Sequence, residues 1–276
     1  MLTNFTFFGT DQFAVQILDQ LKAAGLKPAL VVTTPDKPQG RHLTLTPPPV
    51  KTWAIENGIK FLQPEKLKDF VLPACEVAIV ASYGKILPAN LLTQPKQGFV
   101  NIHPSLLPKY RGATPLQSAI LSDDTETGVT LMEVDEQMDH GAIIAEEKLP
   151  LSTQTFLDLR NETASLGAKL LIEKLPLWLA GELKSKPQDD NAATYTKKIE
   201  KQDGELKDTD DAKTNYKKVR AYTPWPGAFF FQDTEQGPKR VIIKKARLQG
   251  DELIIERVTP EGKSEMNYST FAQNLE

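Results

Sequence analysis

The stretch Asn4-Phe-Thr-Phe-Phe-Gly-Thr-Asp-Gln-Phe-Ala-Val-Gln-Ile-Leu-Asp-Gln-Leu-Lys-Ala-Ala-Gly-Leu-Lys-Pro-Ala-Leu-Val-Val-Thr33 decides the fold. Residues 4–8 are apolar and typical of a strand, and from Phe13 to Leu21 apolar residues recur at roughly helical spacing. Gly25 is a natural end for that helix, and residues 28–33 form a second apolar strand. A strand, a helix and a strand in this order predict parallel pairing and a right-handed crossover.

The same alternation continues along the chain. Residues 155–183 are predicted to be a long amphipathic region, interrupted at Gly167 and Pro176. The segment 35–49 is rich in proline, which excludes a helix or a central strand and predicts a long, functional loop. Further strands are predicted at 59–62, 76–81, 98–102, 127–134 and 142–149, and helices at 50–57, 88–92 and 115–121.

The composition changes near Lys184, where a polar, charged stretch begins that is typical of a linker. Later strands are short and separated by turns, which favours a small barrel or sandwich. We therefore predict an α/β, doubly wound, mostly parallel sheet in residues 1–188, a linker at 189–206 and a small, shortened OB-like β domain at 207–276. The short strands are predicted at 228–231, 240–248, 252–257 and 265–268.

Composition places the chain among globular proteins. It has 276 residues, 40% of them hydrophobic and 25% charged, with a net charge of −3 that argues against a general polyanion binder. Cys75 is the single cysteine, which excludes an intrachain disulfide and fits a reducing cytoplasm. The N-terminus is predicted to be a strand and not a signal peptide, and no apolar run is long enough to span a membrane. We expect a cytoplasmic monomer.

Asn101 and His103 lie at the end of a predicted buried strand, and the chain has only three histidines. In an open α/β sheet, functional groups collect at the carboxyl ends of strands. The two-residue period of a strand directs Asn101 and His103 to one side and Ile102 to the other. Asp139 follows another strand, and a carboxylate near an imidazole stabilises its protonated form. We predict that these three side chains meet.

The chemistry of this set has a base and an oxyanion donor but no side-chain nucleophile. That combination suits acyl transfer to an incoming amine. A free α-amino group has a pKa of about 7.7–8.0, so a base is needed to take its proton near neutral pH. No cluster of metal-binding residues is evident, and we predict no metal site.

Four further motifs stand out: Asn101-Ile-His103-Pro-Ser-Leu-Leu-Pro108, Arg111-Gly112, Glu126-Thr-Gly-Val-Thr130 and Asp139-His-Gly141. Together they resemble the formyltransferase family that uses 10-formyltetrahydrofolate. Others narrow the resemblance to the branch that acts on initiator methionyl-tRNA: Phe8-Gly-Thr10, Thr34–Arg41, Pro47–Val50, Thr194–Ile199 and Arg220–Gly227. The resemblance extends from about Phe7 to about Phe231. It implies a Rossmann-like formyltransferase domain that formylates the methionine amine of the charged initiator tRNA for translation initiation.

The resemblance also implies roles for individual residues. Asn101 would stabilise the oxyanion, His103 would transfer the proton and Asp139 would orient and balance the charge of His103. Phe13 matches the aromatic of the methionine pocket, and Arg41 matches the arginine of a loop that clamps the acceptor stem. The donor 10-formyltetrahydrofolate would contact Tyr83, Gly84, Lys85, Ile86, Leu87, Pro88, Ser105, Leu106, Leu107 and Pro108. The methionine pocket and tRNA would contact Gly9, Thr10, Phe13, Lys37, Arg41 and Arg111.

Two features depart from the family pattern. Asp11 stands where the family usually has proline, and we expect its charge in the first turn of a helix, where the dipole stabilises it. The part after the linker is short for this family, and its charges nearly balance. We therefore expect this part of the chain to bind phosphate groups more weakly than the corresponding domain of the family. A basic face is still expected from Lys213, Lys217, Lys218, Arg220, Lys239, Arg240, Lys244, Lys245 and Arg247.

Other interpretations stay open on the residues alone. His103 fits a structural strand-end histidine, and Asp139 fits a turn residue. His42 and His140 are typical of solvated loops, and Trp225 of a packing anchor. The alternative functions are an N-formyltransferase for amino sugar nucleotides and a non-catalytic protein that binds folate or RNA.

Overall fold

The computed structural model describes residues 4–40, 43–235 and 237–273. The chain divides into two compact units. The first comprises Met1–Ala113, Thr127–Pro150 and Arg160–Tyr195, and the second Thr114–Glu126, Leu151–Leu159 and Thr196–Glu276.

The strands are β1 Phe5–Gly9, β2 Leu30–Val32, β3 Lys37–Gln39, β4 Thr44–Thr46, β5 Phe61–Leu62, β6 Val77–Ala81, β7 Phe99–His103, β8 Glu126–Glu133, β9 Ile143–Pro150, β10 Phe229–Gln232, β11 Lys239–Gln249, β12 Glu252–Pro260 and β13 Met266–Asn267. The α-helices are α1 Gln12–Ala23, α2 Pro49–Glu56, α3 Ala89–Leu92, α4 Pro115–Leu121, α5 Phe156–Leu179, α6 Ala212–Tyr222 and α7 Tyr268–Gln273. Two short 3₁₀ helices lie at Asp190–Ala192 and Lys201–Gly204.

A seven-stranded sheet organises the first unit in the order β5-β2-β1-β6-β7-β8-β9. The pairs β1–β2, β1–β6, β2–β5 and β6–β7 are parallel, and β7–β8 is antiparallel. The predicted doubly wound, mostly parallel sheet is therefore confirmed. β1 and β6 are buried along their whole length, as expected for strands that are covered on both faces.

The proline-rich segment is more ordered than the sequence predicts. β3 and β4 form an antiparallel hairpin in which Pro38 lies opposite Leu45. A proline is tolerated there because a two-stranded hairpin has two edges that need no donor. Pro49 begins α2, a position where its missing N–H costs nothing. The expectation of a structureless loop over 35–49 is therefore wrong, although no central strand or helix interior falls within it.

Helix α5 runs through both residues that were expected to interrupt it. A Cβ on Gly167 would lie 2.6 Å from Ile102 Cγ2 and 3.3 Å from Val129 Cγ1. This glycine therefore lets the helix approach the sheet closely and does not break it. Pro176 lies in the last turns of the helix and its carbonyl still accepts from the Ala180 N–H. The predicted interruption is wrong at both positions.

The second unit contains an antiparallel sheet in the order β10-β11-β12-β13. Val219 of α6 and Phe271 of α7 are buried with Val241, Ile243 and Val258 of that sheet. Sequence analysis missed both helices and treated the region as mostly β. α6 is strongly polar, so few apolar positions mark it as a helix in the sequence. Its N-terminal signal is Asp211, whose side chain accepts from the Thr214 N–H.

Candidate functional site

Asn101, His103 and Asp139 come together at the carboxyl end of β7. His103 Nδ1 lies 3.7 Å from Asp139 Oδ1, and Asn101 Nδ2 lies 3.5 Å from the same oxygen. The second distance is at the outer limit of a hydrogen bond and the first exceeds it. Ile102 faces the opposite side and is buried in the core, as the strand period predicts. His103 is buried, whereas the Asp139 side chain is 18% exposed.

The tautomer of His103 follows from its second contact. Nε2 lies 3.0 Å from the Tyr110 carbonyl oxygen, which only accepts hydrogen bonds. Nε2 must therefore carry a proton, and in the neutral ring Nδ1 carries the lone pair. Nδ1 is the atom that faces Asp139. The imidazole is thus held by the Tyr110 backbone with its basic nitrogen directed to the carboxylate.

Asp139 occupies the left-handed backbone region, with φ at 51°. Its Oδ2 accepts from the Gly112 N–H at 2.8 Å. The two oxygens therefore have different neighbours, since Oδ1 faces Asn101 and His103. A carboxylate bound in this way has a defined orientation.

The segment 108–112 is hydrogen-bonded to Thr194, which lies in the segment that follows α5. The Tyr110 N–H donates to Thr194 Oγ1 at 2.8 Å, and the Arg111 N–H donates to the Thr194 carbonyl at 2.8 Å. The Thr194 N–H donates to the Pro108 carbonyl at 3.2 Å. Residues that the sequence placed in a linker thus fix the backbone that binds His103 and Asp139.

Arg111 is 2% exposed, although the sequence predicts contact with the substrate. Its guanidinium donates to Gln188 Oε1 through Nε at 3.1 Å and Nη2 at 2.9 Å. Nη2 also lies 2.7 Å from Asp190 Oδ1, and Nη1 donates to Tyr195 Oη at 3.2 Å. These contacts direct the guanidinium into the protein and support a structural role for it.

His140 is not the solvated loop residue that its sequence context favours. Nδ1 lies 2.5 Å from Asp135 Oδ2, and Nε2 lies 3.4 Å from Asp190 Oδ2. The hydrogen bond to Asp135, and then the charge of Asp190, raise the pKa of His140 above its usual value. His140 therefore bridges two carboxylates on the outer side of the Asp139 turn.

The predicted donor-binding loop after β6 mixes buried and open residues. Ile86 is 88% exposed, and Gly84 has a φ of 77°. Tyr83 and Leu87 are buried in the core, and burial raises the pKa of Tyr83 to about 12. Lys85 Nζ donates to the carbonyls of Pro64 and Glu65 at 2.8 and 3.1 Å. Pro88 precedes α3 as its N-cap residue. Gly84 and Ile86 are therefore the most accessible of these six residues, and Lys85 and Pro88 are half-buried.

The second predicted donor-binding segment, Ser105 to Pro108, is tied to β8. Thr130 Oγ1 donates to the Ser105 carbonyl at 2.7 Å and accepts from the Leu107 N–H at 3.1 Å. Ser105 and Leu107 are buried, whereas Leu106 and Pro108 are half-buried. Only Leu106 and Pro108 thus have side-chain surface to offer a ligand.

The residues predicted for the acceptor side begin at the end of β1. A Cβ on Gly9 would lie 2.6 Å from Ala14 Cβ, so a larger residue does not fit there. Thr10 Oγ1 donates to the Tyr83 carbonyl at 2.7 Å. Phe13 is buried in the core. Lys37 is exposed on β3, and Arg41, like His42, lies outside the described residues.

Asp11 is the N-cap residue of α1, not a residue of its first turn as the sequence predicts. Oδ1 accepts from the Phe13 and Ala14 N–H groups at 3.1 and 3.3 Å. Oδ2 accepts from Ser82 Oγ at 2.6 Å. Its carboxylate therefore joins the end of β1 to the start of the loop after β6.

Four of the nine cations expected to form the basic face of the second unit are paired with acidic groups. Lys245 and Arg247 contact Glu256 at 2.8 and 3.2 Å, and Lys218 contacts Asp210 at 2.7 Å. Lys213 pairs with Asp123, Arg220 is buried, and the Arg240 guanidinium lies 3.7 Å from the centre of the Phe229 ring. This surface therefore offers less unpaired positive charge than its composition indicates.

Within the described parts of the chain, no group of three or more His, Cys, Asp or Glu residues is placed to hold a metal ion. No helix of those same parts is long and apolar enough to cross a bilayer.

Sequence analysis missed the groups that support the three central side chains. Gln188, Thr194, the Tyr110 carbonyl and the Gly112 N–H all contact the site or its loops. The sequence signal for one of them is the motif that begins at Thr194. Backbone groups leave no signal of their own because any residue type supplies them.

Two family models match the chain. The model described as formyl transferase matches residues 3–175, and the model described as formyl transferase, C-terminal domain, matches residues 198–253. Among curated relatives, the methionyl-tRNA formyltransferase of Chloroflexus aggregans is 46% identical and covers 82% of this chain and 75% of its own length. That of Listeria monocytogenes is 36% identical over 98% of this chain and 95% of its own length.

Solved structures share the fold at low sequence identity. HypX from Aquifex aeolicus in complex with tetrahydrofolic acid has a TM-score of 0.66 at 17% identity, over 98% of this chain. The chain spans about half of HypX, 46% of its length. Methionyl-tRNA formyltransferase from Clostridium thermocellum has a TM-score of 0.61 at 18% identity, over 94% of this chain and 99% of that protein.

Proposed function

We propose that this chain, which belongs to the formyl transferase family, transfers a formyl group from 10-formyltetrahydrofolate to the α-amino group of methionyl initiator tRNA. The observation that carries the proposal is the convergence of Asn101, His103 and Asp139 at one strand end. That set supplies a base and an oxyanion donor without a nucleophile, so the nucleophile must be the amine of the acceptor.

The proton of the attacking amine is assigned to His103 Nδ1, the nitrogen that carries the lone pair. As the amine nitrogen bonds to the formyl carbon, Nδ1 takes its proton, and Asp139 Oδ1 at 3.7 Å stabilises the imidazolium. The proton then passes to the nitrogen of the leaving tetrahydrofolate as its bond to the formyl carbon breaks. Nε2 keeps its bond to the Tyr110 carbonyl throughout, which fixes the ring.

Asn101 is assigned to the oxygen of the formyl group. One of its two N–H groups is directed at Asp139 Oδ1 over 3.5 Å, and the other is assigned to the oxyanion that forms on attack. One such donor contributes about 10²–10³-fold in rate and a general base about 10²–10⁴-fold. The two effects together are large enough to make this site an effective catalyst.

The donor fits the loop after β6 by its exposed parts. Ile86 offers an apolar side chain, and the Gly84 backbone offers hydrogen-bonding groups to a pterin edge. Within the described residues the Tyr83 hydroxyl is a buried polar atom without a hydrogen-bond partner. When bound, 10-formyltetrahydrofolate supplies the one-carbon group. Tyr83–Pro88 and Ser105–Pro108 are thus proposed as the donor site, with contact through their accessible atoms.

The acceptor is inferred from the relatives, which are named methionyl-tRNA formyltransferases at 36% and 46% identity. Gly9, Thr10, Phe13, Lys37 and Arg41 are proposed for the methionine pocket and the tRNA. Arg41→Ala is expected to impair the use of tRNA and to leave folate binding unchanged. A loss of folate binding would place Arg41 in the donor site.

One assay tests the proposal against its alternatives. The chain is incubated with 10-formyltetrahydrofolate and either methionyl initiator tRNA or an amino sugar nucleotide, and the formylated product is measured. Product with the charged tRNA is expected. Product with the sugar nucleotide alone, or none under conditions where an established enzyme works, overturns the proposal.

Two further features belong to the proposal. We propose a cytoplasmic monomer, because charged tRNA and folate are cytoplasmic substrates and the three central residues come from one chain. We also propose a catalytic domain at 1–188, a linker at 189–206 and a C-terminal domain at 207–276. Limited proteolysis within 189–206 would test these boundaries.

A further inference from the structure

We infer that Gln188 is a positioning residue for the transfer reaction and that it acts through Asp139. This inference rests on the proposed function. The Gln188 amide binds the backbone of the turn that carries Asp139. Among the described residues, none of its hydrogen bonds goes to Asn101, His103 or the Asp139 carboxylate.

The Gln188 amide nitrogen holds both sides of that turn. Nε2 donates to the Asp139 carbonyl at 2.9 Å and to the Gly141 carbonyl at 2.8 Å. Both hydrogens of the amide are thereby used. Asp139 has a φ of 51°, in the left-handed region, where a non-glycine residue needs support from its surroundings.

The amide oxygen fixes the direction of the nitrogen. Gln188 Oε1 accepts from Arg111 Nε at 3.1 Å and from Nη2 at 2.9 Å. A guanidinium only donates, so the oxygen must face Arg111 and the nitrogen must face the turn. Asp190, 2.7 Å from Nη2, compensates the charge of this buried arginine. The buried Arg111 therefore sets the orientation of Gln188.

These hydrogen bonds hold both the side chain and the backbone of Asp139. The Gly112 N–H, next in sequence to Arg111, donates to Asp139 Oδ2 at 2.8 Å. The Asp139 carboxylate is thus held by Gly112. The Asp139 backbone is held by Gln188, whose orientation is set by Arg111. On its other side the turn is tightly packed, because a Cβ on Gly141 would lie 1.9 Å from the Glu133 carbonyl oxygen. We therefore infer that these contacts together set the distance between Asp139 and His103.

A shift of this carboxylate affects catalysis more than binding. A misplacement of about 1 Å can cost 10²-fold in rate. Gln188 binds the backbone of the turn and is not among the residues proposed to contact the donor or the tRNA. Its loss is therefore expected to lower kcat and to leave both KM values nearly unchanged.

The test is steady-state kinetics of Gln188→Ala, Gln188→Met and Gln188→Glu with both substrates. We expect kcat to fall about 10- to 100-fold in each variant, with each KM within about twofold of wild type. Gln188→Glu keeps an oxygen for Arg111 but puts a second oxygen against two carbonyls, so it is expected to fall at least as far. Gln188→Met keeps the side-chain length and serves if the alanine variant does not fold.

A double-mutant cycle separates positioning from a general structural effect. In an Asp139→Asn background, Gln188→Met is expected to change kcat by less than about twofold, because the carboxylate it positions is gone. Gln94→Ala is the matched control. Gln94 braces another loop of the same unit, accepting from the Leu72 N–H at 2.6 Å and donating to the Phe70 and Asn90 carbonyls. It is expected to lose stability and keep kcat.

The outcomes distinguish the two proposals. Two results overturn the positioning role alone, provided that the wild type is active. In the first, the folded Gln188 variants keep kcat within twofold of wild type. In the second, Gln188→Met lowers kcat by the same factor with and without Asp139→Asn. A loss of kcat equal to that of Gln94→Ala at matched stability does the same. A wild type that forms no formylated product overturns the proposed function, and the positioning role with it.

Discussion

The loops after β6 and after β7 leave neighbouring strands of one sheet, yet they are held very differently. After β7, Ser105, Tyr110 and Arg111 are buried, and the backbone from Pro108 to Gly112 is bonded to Thr194 and Asp139. After β6, Tyr83 and Leu87 are buried, but Ile86 between them is almost fully exposed. Proton transfer requires fixed atoms, whereas a binding wall keeps open surface for its ligand to cover. The difference indicates that the loop after β7, whose Tyr110 carbonyl and Gly112 N–H bind His103 and Asp139, serves the chemistry as well as donor binding, whereas the loop after β6 serves binding.

The largest effect is expected at the end of β7, where the loop of residues 104–112 (the braced loop) begins, and in the turn that carries Asp139. His103→Ala removes the proposed base and Asp139→Ala removes the charge that stabilises it. We expect each to lower kcat by at least about 10²-fold. The measurement is kcat with saturating 10-formyltetrahydrofolate and charged tRNA.

Folding is the control for these two variants. Circular dichroism and thermal unfolding are expected to show a folded protein in each case, and Asp139→Asn provides a replacement of equal size. Near-wild-type turnover from a folded His103→Ala or Asp139→Ala would remove the assigned roles and, with them, the contrast between the two loops.

Gly167→Ala tests how the core supports the braced loop. The added Cβ would lie 2.6 Å from Ile102 Cγ2, and Ile102 stands between Asn101 and His103 on β7. Overpacking of a core costs about 1–3 kcal/mol, so we expect the free energy of unfolding to fall by that amount. Urea denaturation measures it, with Ala168→Gly as a companion that removes volume from the same helix.

An unchanged stability in Gly167→Ala would show that α5 and the sheet have room to separate. A loss of kcat in the same variant is expected if β7 is displaced. Intact kcat together with lower stability would mean that the site tolerates movement of Ile102.

The sequence predicts the sheet and the central residues because both depend on strong local patterns. β6 is a continuous apolar run, and a strand period fixes the shared side of Asn101 and His103. Their meeting with Asp139 does not follow from the carboxyl-end rule for α/β sheets, because β8 is antiparallel to β7 and its carboxyl end lies at the opposite edge of the sheet. Only the tertiary contact of the turn after β8 brings Asp139 to these two residues. The motif resemblance added the roles, and those stay predictions.

The remainder depends on tertiary contacts that no local pattern records. Gly167 has the local signature of a helix breaker, yet its function is close packing against Ile102. α6 is too polar for its helical stripe to stand out, and it is stabilised by packing on β11. Gln188 lies in a polar stretch that resembles a linker, and only the fold brings its amide to Asp139.

Ile86 tests the open loop. Its side chain is 88% exposed, so Ile86→Ala is expected to leave stability within about 0.5 kcal/mol of wild type. If the donor covers this side chain, the lost apolar contact should raise the KM for 10-formyltetrahydrofolate about 3- to 10-fold. Unchanged kcat is expected, because the proposed reacting groups lie at the end of β7 and in the turn after β8.

Val71→Ala is the control, since Val71 is 79% exposed and belongs to neither loop. Its KM for the donor is expected to equal that of wild type. An unchanged KM in Ile86→Ala would place the donor elsewhere and remove the assignment of the loop after β6 as its wall.

The smallest effect is expected at His140, on the outer side of the braced region. Its pKa is raised by the hydrogen bond to Asp135 and then by Asp190, which also binds Arg111. A folded-state pKa above the unfolded value means that the stabilisation is fully present below about pH 6.5 and is lost as the pH rises through the folded pKa. We therefore expect His140→Gln to lower the free energy of unfolding by less than about 1 kcal/mol at pH 6. The difference from wild type should shrink as the pH rises.

Urea denaturation of both proteins across pH 5.5–8.5 measures this difference, and repetition in about 1 M salt should reduce it, because the Debye length falls to about 3 Å. A difference that grows with pH would mean that the neutral ring, not the imidazolium, is the stabilising form. Because Gln188 and Gly112 still hold the Asp139 turn in this variant, kcat is expected to change by less than about twofold at every pH. A larger loss of kcat in His140→Gln would mean that the carboxylates of Asp135 and Asp190 also help to position the groups that transfer the proton.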